Sequence, residues 1–185
     1  TEKCPGTKVF TILGHVEYPG LIEVPMGTSL REIIFSFGGG VREGKRFKAA
    51  LLGGAAGVFL PEKLLDVPMD FESLKENQAV LGSGAILVMN EDTSIADMLF
   101  SILKFFAHES CGQCSPCRIG TRQLVDLAYK IRSGQGGAAD LELMVNLCKT
   151  MVATSLCPLG QSLIMPVRSA VDHFRNEILK PINPS

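Results

Sequence analysis

The pattern of apolar and polar positions changes character near Asn90. Before it, short strand-like runs are broken by glycine-rich turns; after it, apolar residues recur at three- and four-residue spacing. In the first part, Val9 to Val16 and Leu21 to Val24 read as two strands. The stretch Glu17-Tyr18-Pro19-Gly20 between them reads as a hairpin connection. Ser29-Leu30-Arg31-Glu32 has the form of a capping box and opens a short helix that stops at Gly38-Gly39-Gly40. Ala49 to Leu52 and Ala85 to Met89 are further strands, with a brief helical turn from Phe71 to Glu76. A hairpin, a covering helix and returning strands predict a ubiquitin-like β-grasp domain over residues 1–90. Gly53 to Gly57 lacks the ending of a P-loop and the spacing of a dinucleotide fingerprint, so it reads as a tight turn between strands.

In the second part, residues 91–185, the spacing predicts four amphipathic helices. Ser94 opens the first, with Ile95, Met98, Leu99, Ile102, Leu103 and Phe106 on one face. The second follows Pro116 and carries Leu124, Leu127, Ala128 and Ile131; the third carries Leu141, Met144, Val145, Cys148 and Val152. The fourth follows Pro158, with Leu163, Val167, Ala170, Val171, Phe174 and Ile178, and Pro166 is expected to kink it. Short connections between such helices predict a four-helix bundle, and the fold class is α+β.

Composition narrows the function classes. The 185 residues carry a formal net charge of −1, no basic block and no tryptophan, which argues against a nucleic-acid partner. The most apolar stretch, Ile95 to Ala107, is shorter than the ~20 residues that cross a bilayer and is broken by Asp97 and Lys104. Membrane insertion is therefore not expected, and any link to a membrane runs through partners. No signal-peptide pattern opens the chain, and reduced thiols suit a cytoplasmic or matrix-like compartment. The chain opens at Thr1 without methionine and reads as processed, trimmed or part of a longer polypeptide.

The candidate chemistry lies in Cys111-Gly112-Gln113-Cys114-Ser115-Pro116-Cys117, answered by Cys157-Pro158. Cys-x2-Cys-x2-Cys with a remote Cys-Pro is a pattern that holds [4Fe–4S] cubanes. Four corners of a rough tetrahedron cannot come from one regular element. A loop bearing Gly112 wraps three, and the fourth must arrive from another segment. Pro116 and Pro158 both suit a first helical turn, so both segments are expected to lead into helix N-termini, which favour anions. Cys148 falls on a helical apolar stripe and reads as core, which leaves Cys157 as the fourth ligand. Cys4 reads as an incidental thiol. His108 reads as a last-turn histidine, where a cation suits the helix dipole, and Arg118 sits in a first turn that disfavours it. Structural zinc is the rival, weakened by the lack of a second Cys-x2–4-Cys knuckle and by the scatter of His15, His108 and His173.

Glu109-Ser-Cys-Gly-Gln-Cys-Ser-Pro-Cys-Arg118 with Ser155-Leu-Cys-Pro-Leu-Gly160 resembles the flavin subunit of NADH:quinone oxidoreductase (respiratory complex I). It resembles equally the related subunits of NAD(P)-linked hydrogenases and formate dehydrogenases. Gly14-His-Val-Glu-Tyr-Pro-Gly20 and Glu23-Val-Pro-Met-Gly-Thr28 look like that family's soluble-ligand-binding β-grasp (SLBB) domain. The resemblance implies that Cys111, Cys114, Cys117 and Cys157 bind a [4Fe–4S] cluster. It makes Ser110, Gly112 and Gln113 candidates for tuning it by hydrogen bonding. It also implies that FMN and NAD(P)H belong to the full-length subunit, whose flavin-binding region would precede residue 1. On that reading the flavin domain and other iron–sulfur subunits are the partners. The chain is then a C-terminal portion that should not oxidise NADH alone, working on the cytoplasmic or matrix side, at the periphery of a membrane complex. Ala56 and Asn90 depart from residues common in relatives, leaving complex I and hydrogenase-type membership both open.

Two functional readings follow. One is an electron-transfer module that passes single electrons from flavin through the cluster to downstream centres. The alternative is a non-redox ligand-binding or assembly module, its cysteines holding structural zinc or nothing.

Overall fold

The computed structural model describes residues 1–180. Its chain divides into two compact units, Thr1–Thr93 and a second beginning at Ser94. Residues 181–185, the end of the second predicted span, lie outside the described residues.

The first unit is built on five strands: β1 (Thr7–Gly14), β2 (Gly20–Pro25), β3 (Phe47–Leu52), β4 (Val58–Pro61) and β5 (Ala85–Asn90), in the order β2-β1-β5-β3-β4. β1 pairs antiparallel with β2, from Thr7 opposite Pro25 to Ile12 opposite Gly20, and parallel with β5. An edge hairpin whose first strand runs parallel to the last is the β-grasp arrangement expected from the sequence. Alternation fixes the register. Phe10 and Ile12 are buried while Val9 and Leu13 face out, and a one-residue slip would exchange them. Ser29 caps the expected helical segment, its Oγ accepting from the Glu32 amide at 3.1 Å. That segment winds as a wide π turn over Glu32–Phe37 and buries Leu30, Ile33 and Ile34 completely. Its glycine terminus receives the hairpin loop, Gly38 and Gly40 carbonyls accepting from the amides of Tyr18 (2.9 Å) and Glu17 (3.0 Å). Helix α1 (Phe71–Glu76) is capped by Asp70, whose side chain accepts from the Ser73 amide at 2.8 Å. The Gly53–Gly57 stretch is the turn joining β3 to the unanticipated strand β4.

The second unit contains α2 (Ile95–Glu109), α3 (Ser115–Arg132), α4 (Ala138–Thr154), α5 (Pro158–Gln161) and α6 (Ile164–Ile178). The four long helices form a closed ring of neighbours, α2 on α3, α3 on α4, α4 on α6 and α6 on α2. Leu99, Leu103, Phe106, Leu124, Ile131, Leu141, Met144, Cys148, Met151 and Val167 fill the interior. On α4 the buried stripe ends at Met151, and Val152 is exposed. The single kinked helix expected after Pro158 is two helices. The chain breaks at Ser162-Leu163, and Pro166 falls in the first turn of α6, where an amide has no partner in the helix to lose.

Candidate metal centre

Three of the four cysteines lie where the chain leaves α2 and enters α3. Gly112 takes φ +76°, a left-handed conformation that suits glycine, and this folds the chain back between Cys111 and Cys114. Cys114 is the N-cap of α3, Pro116 is in its first turn, and Cys117 follows on the buried face. The fourth cysteine repeats the device. Cys157 is the N-cap of α5, Pro158 is its first residue, and α5 packs on both α3 and α4. Neither α3 nor α5 has a carboxylate in its first turn, whereas α2 has Asp97 and α4 has Asp140. The positive helix ends at the two cysteine caps are therefore left for thiolates.

Hydrogen bonding ties the two segments together. The Cys114 thiol is held below its ordinary pKa, first by a hydrogen bond from the Leu156 backbone and then by one from that of Cys117. A contact between Leu156 and Cys114 joins the residue before Cys157 to the first loop. Burial, the largest effect, pushes the Cys117 thiol up; a hydrogen bond from Ser110 opposes it, and the nearby charges of Cys114, Cys157 and Cys111 add to the rise. All three other cysteines thus lie within electrostatic reach of Cys117. Cys148 stands apart on the buried stripe of α4, where burial pushes its thiol up to about 12.

Of the hydrogen-bonding candidates, Ser110 meets Cys117 directly, its Oγ 3.3 Å from Sγ. The Gly112 amide donates to Ser110 Oγ at 3.4 Å. Gln113 is exposed and makes no side-chain hydrogen bond among the described residues. His108 sits exposed in the last turn of α2, its Nδ1 3.0 Å from Glu109 Oε1. Arg118 has a role the sequence did not suggest. Its guanidinium donates to the Gly112 carbonyl and to Ser115 Oγ (3.2 Å), pinning the cysteine loop to the start of α3.

Two residues at the ends of the Ser155–Gly160 motif gain a role only in three dimensions. A Cβ on Gly160 would stand 2.7 Å from Ser155 Cβ, nearer still to Ser155 Oγ, and 3.1 Å from Cys117 Cβ. Only a glycine lets α5 approach this closely. Ser155, the C-cap of α4, is buried, and its Oγ has no hydrogen-bond partner among the described residues.

These residues fit an iron–sulfur cluster. The donors are four soft thiols from two segments, the helix ends favour anions, and a buried hydroxyl against Gly160, which also neighbours Cys117, lacks an acceptor. Among the described residues, no three Cys, His, Asp or Glu side chains converge closely enough to hold a single ion. In the first unit, His15, Arg42, Glu43, Lys45, Asn90, Asp92 and Thr93 line an open cleft, where Lys45 pairs with Glu43 at 2.9 Å and Asp92 at 2.8 Å. No helix among the described residues is long and apolar enough to cross a membrane.

Comparison with known proteins agrees with this geometry. Residues 97–181 match the NADH-ubiquinone oxidoreductase-F iron–sulfur binding region, and residues 9–59 match the SLBB domain. The chain is 45% identical over 177 residues to the NADP-reducing hydrogenase subunit HndC of Solidesulfovibrio fructosivorans, covering 96% of this chain and 36% of that one. It is 39% identical over 181 residues to an NADH-quinone oxidoreductase F-type subunit of Rhizobium meliloti, covering 98% and 43% respectively. Among solved structures, an NAD+-reducing [NiFe]-hydrogenase in the H2-reduced state superposes with a TM-score of 0.83 at 31% identity, over 97% of this chain and 30% of that one. The chain thus spans well under half the length of these relatives. With residues 9–59 and 97–181 matched in sequence order, the chain belongs to the proteins that carry an SLBB domain followed by this iron–sulfur binding region, as the matched NADH-quinone oxidoreductase F-type and hydrogenase subunits do.

Proposed function

We propose that this chain is the electron-relay portion of an NAD(P)H-linked flavin oxidoreductase subunit, with Cys111, Cys114, Cys117 and Cys157 holding a [4Fe–4S] cluster. When bound, such a cluster accepts and releases one electron at a time. The observation that carries the reading is the close packing of α5 on Cys117, where a Cβ on Gly160 would stand 3.1 Å from Cys117 Cβ, which brings the remote Cys-Pro segment to the Cys-x2-Cys-x2-Cys loop. The chain's own residues set the conditions. Cys114 caps the N-terminus of α3, where negative charge is favoured, and backbone donors hold its pKa below the ordinary thiol value, while Cys157 caps α5. Ser110 holds the Cys117 sulfur, and Arg118 keeps the loop closed. FMN and NAD(P)H would be held by parts of the relatives' length that this chain does not span. The flavin-binding region of the same subunit and neighbouring iron–sulfur subunits are then its partners. It would work on the cytoplasmic or matrix side, with no nucleic acid and no span of its own in the membrane.

Anaerobic reconstitution of single-cysteine variants tests the ligand set. Cys157→Ser should abolish most of the visible cluster absorbance, and Cys148→Ser should keep it. The reverse ranking would overturn the assignment.

A further inference from the structure

Two serines, one bonded to Cys117 and one packed with Cys117 around Gly160, are in different states. Ser110 Oγ lies 3.3 Å from the Cys117 sulfur and also accepts from the Gly112 amide, so it is satisfied with the site as it stands. Ser155 lies against Gly160 at the place where Cys117 Cβ also meets it, yet its Oγ is buried and without an acceptor. An orphaned buried hydroxyl ordinarily costs a folded protein free energy, so its position calls for a reason. The backbone holds it there firmly. The Ser155 amide donates to the Met151 carbonyl at 2.9 Å, and its carbonyl accepts from Gln161 Nε2 at 2.8 Å. Both backbone groups are bonded and the residue is only 7% exposed, so the serine is held at the α4–α5 junction with little access to water.

We infer that Ser155 is a positioning and tuning residue whose hydroxyl donates a hydrogen bond to sulfur of the loaded site. The chemistry follows from the donor set. Thiolates and cluster sulfides are acceptors, and a hydroxyl is the one side-chain donor that fits beside Gly160. A donor to sulfur stabilises the reduced cluster, which carries the extra negative charge, more than the oxidised one. Ser155 therefore raises the cluster's reduction potential. The same bond is missing from the metal-free protein, so the hydroxyl there is a burden rather than a support. Gly160 keeps the pocket narrow enough that no bulkier neighbour displaces the hydroxyl.

This inference rests on the cluster reading above, and the test separates the two. Wild type and Ser155→Ala are reconstituted without oxygen and assayed for iron and sulfide. They are then titrated by EPR for midpoint potential and melted in metal-free and loaded forms. The inference predicts that Ser155→Ala loads fully but is about tenfold harder to reduce, a shift of roughly 59 mV downward for one electron. It also predicts a reversal of sign in stability. Ser155→Ala should melt at or above wild type when metal-free, and below wild type when loaded. An unchanged potential, or a variant equally destabilised in both forms, would make Ser155 a packing residue and overturn the inference. Failure of the wild-type chain to take up iron and sulfide would instead count against the cluster reading itself.

Discussion

Gly160→Ala is the sharpest perturbation that this geometry offers. The added methyl would stand 2.7 Å from Ser155 Cβ and 3.1 Å from Cys117 Cβ, and closer still to Ser155 Oγ. Rotating the serine cannot relieve this, because its Cβ clashes as well as its hydroxyl. Either α5 must move away or the α4 terminus must bend. Overpacking of this kind costs about 1–3 kcal/mol. For a unit of this size each kcal/mol lowers the melting temperature by roughly 4–8 °C. The displacement also carries Cys157, one residue before α5, away from Cys114 and Cys117, so loading should fall with stability. Gly120→Ala is the control. Its methyl would meet the Met151 thioether at 2.5 Å and Cγ at 2.9 Å, and a methionine side chain can repack. Melting followed by circular dichroism, with iron and sulfide uptake on reconstitution, gives both readings. If Gly160→Ala melts and loads like wild type, or Gly120→Ala is the worse of the two on both counts, the close approach of α5 does not build the site.

Further predictions follow from the same contacts. Arg118→Ala should release iron to a chelator several-fold faster while shifting the metal-free melting temperature little, because the guanidinium closes the cysteine loop from an exposed position. In native, metal-free protein at pH 8, iodoacetamide should modify Cys114 and spare Cys148. A buried thiol with a pKa near 12 is only about one part in ten thousand thiolate there, and peptide mass mapping reads the difference. Asp140 is held below the ordinary carboxylate range, first by Lys130 and then by the Gly137 amide. Its contribution to stability is present above the unfolded value of about 3.9 and is lost as pH falls through the folded one. Asp140→Asn should therefore lower the urea midpoint at pH 7 and flatten its decline toward pH 2; an equally steep decline would contradict the sign.

The sequence exposed those parts of the molecule that are local in chain order. The hairpin, the Ser29 and Ser94 caps, the helical turn at Phe71 and the helices at α2, α3 and α4 each announce themselves through spacing and capping residues. The cysteine loop was legible because Cys-x2-Cys-x2-Cys, a glycine and a proline compress its geometry into a few positions. Strand β4 was missed because Val58-Phe-Leu-Pro is four residues with no alternation, and its pairing with β3 supplies the evidence that its own pattern lacks. The break before α6 carries no glycine or proline at Ser162-Leu163, so the proline four residues on drew the expected kink to the wrong place. Ser155, Gly160 and Arg118 matter through space rather than along the chain. A buried hydroxyl without a partner, or a methyl that would not fit, has no signature in a single sequence.

The central claim is that four cysteines from two helix caps hold one cubane. It is tested most directly by measuring iron, acid-labile sulfide and zinc per chain after anaerobic purification and reconstitution, with EPR after reduction. About four irons and four sulfides, no zinc and a reduced-cubane signal are the predicted result. One zinc and no sulfide would contradict it, and the cysteines would then be structural.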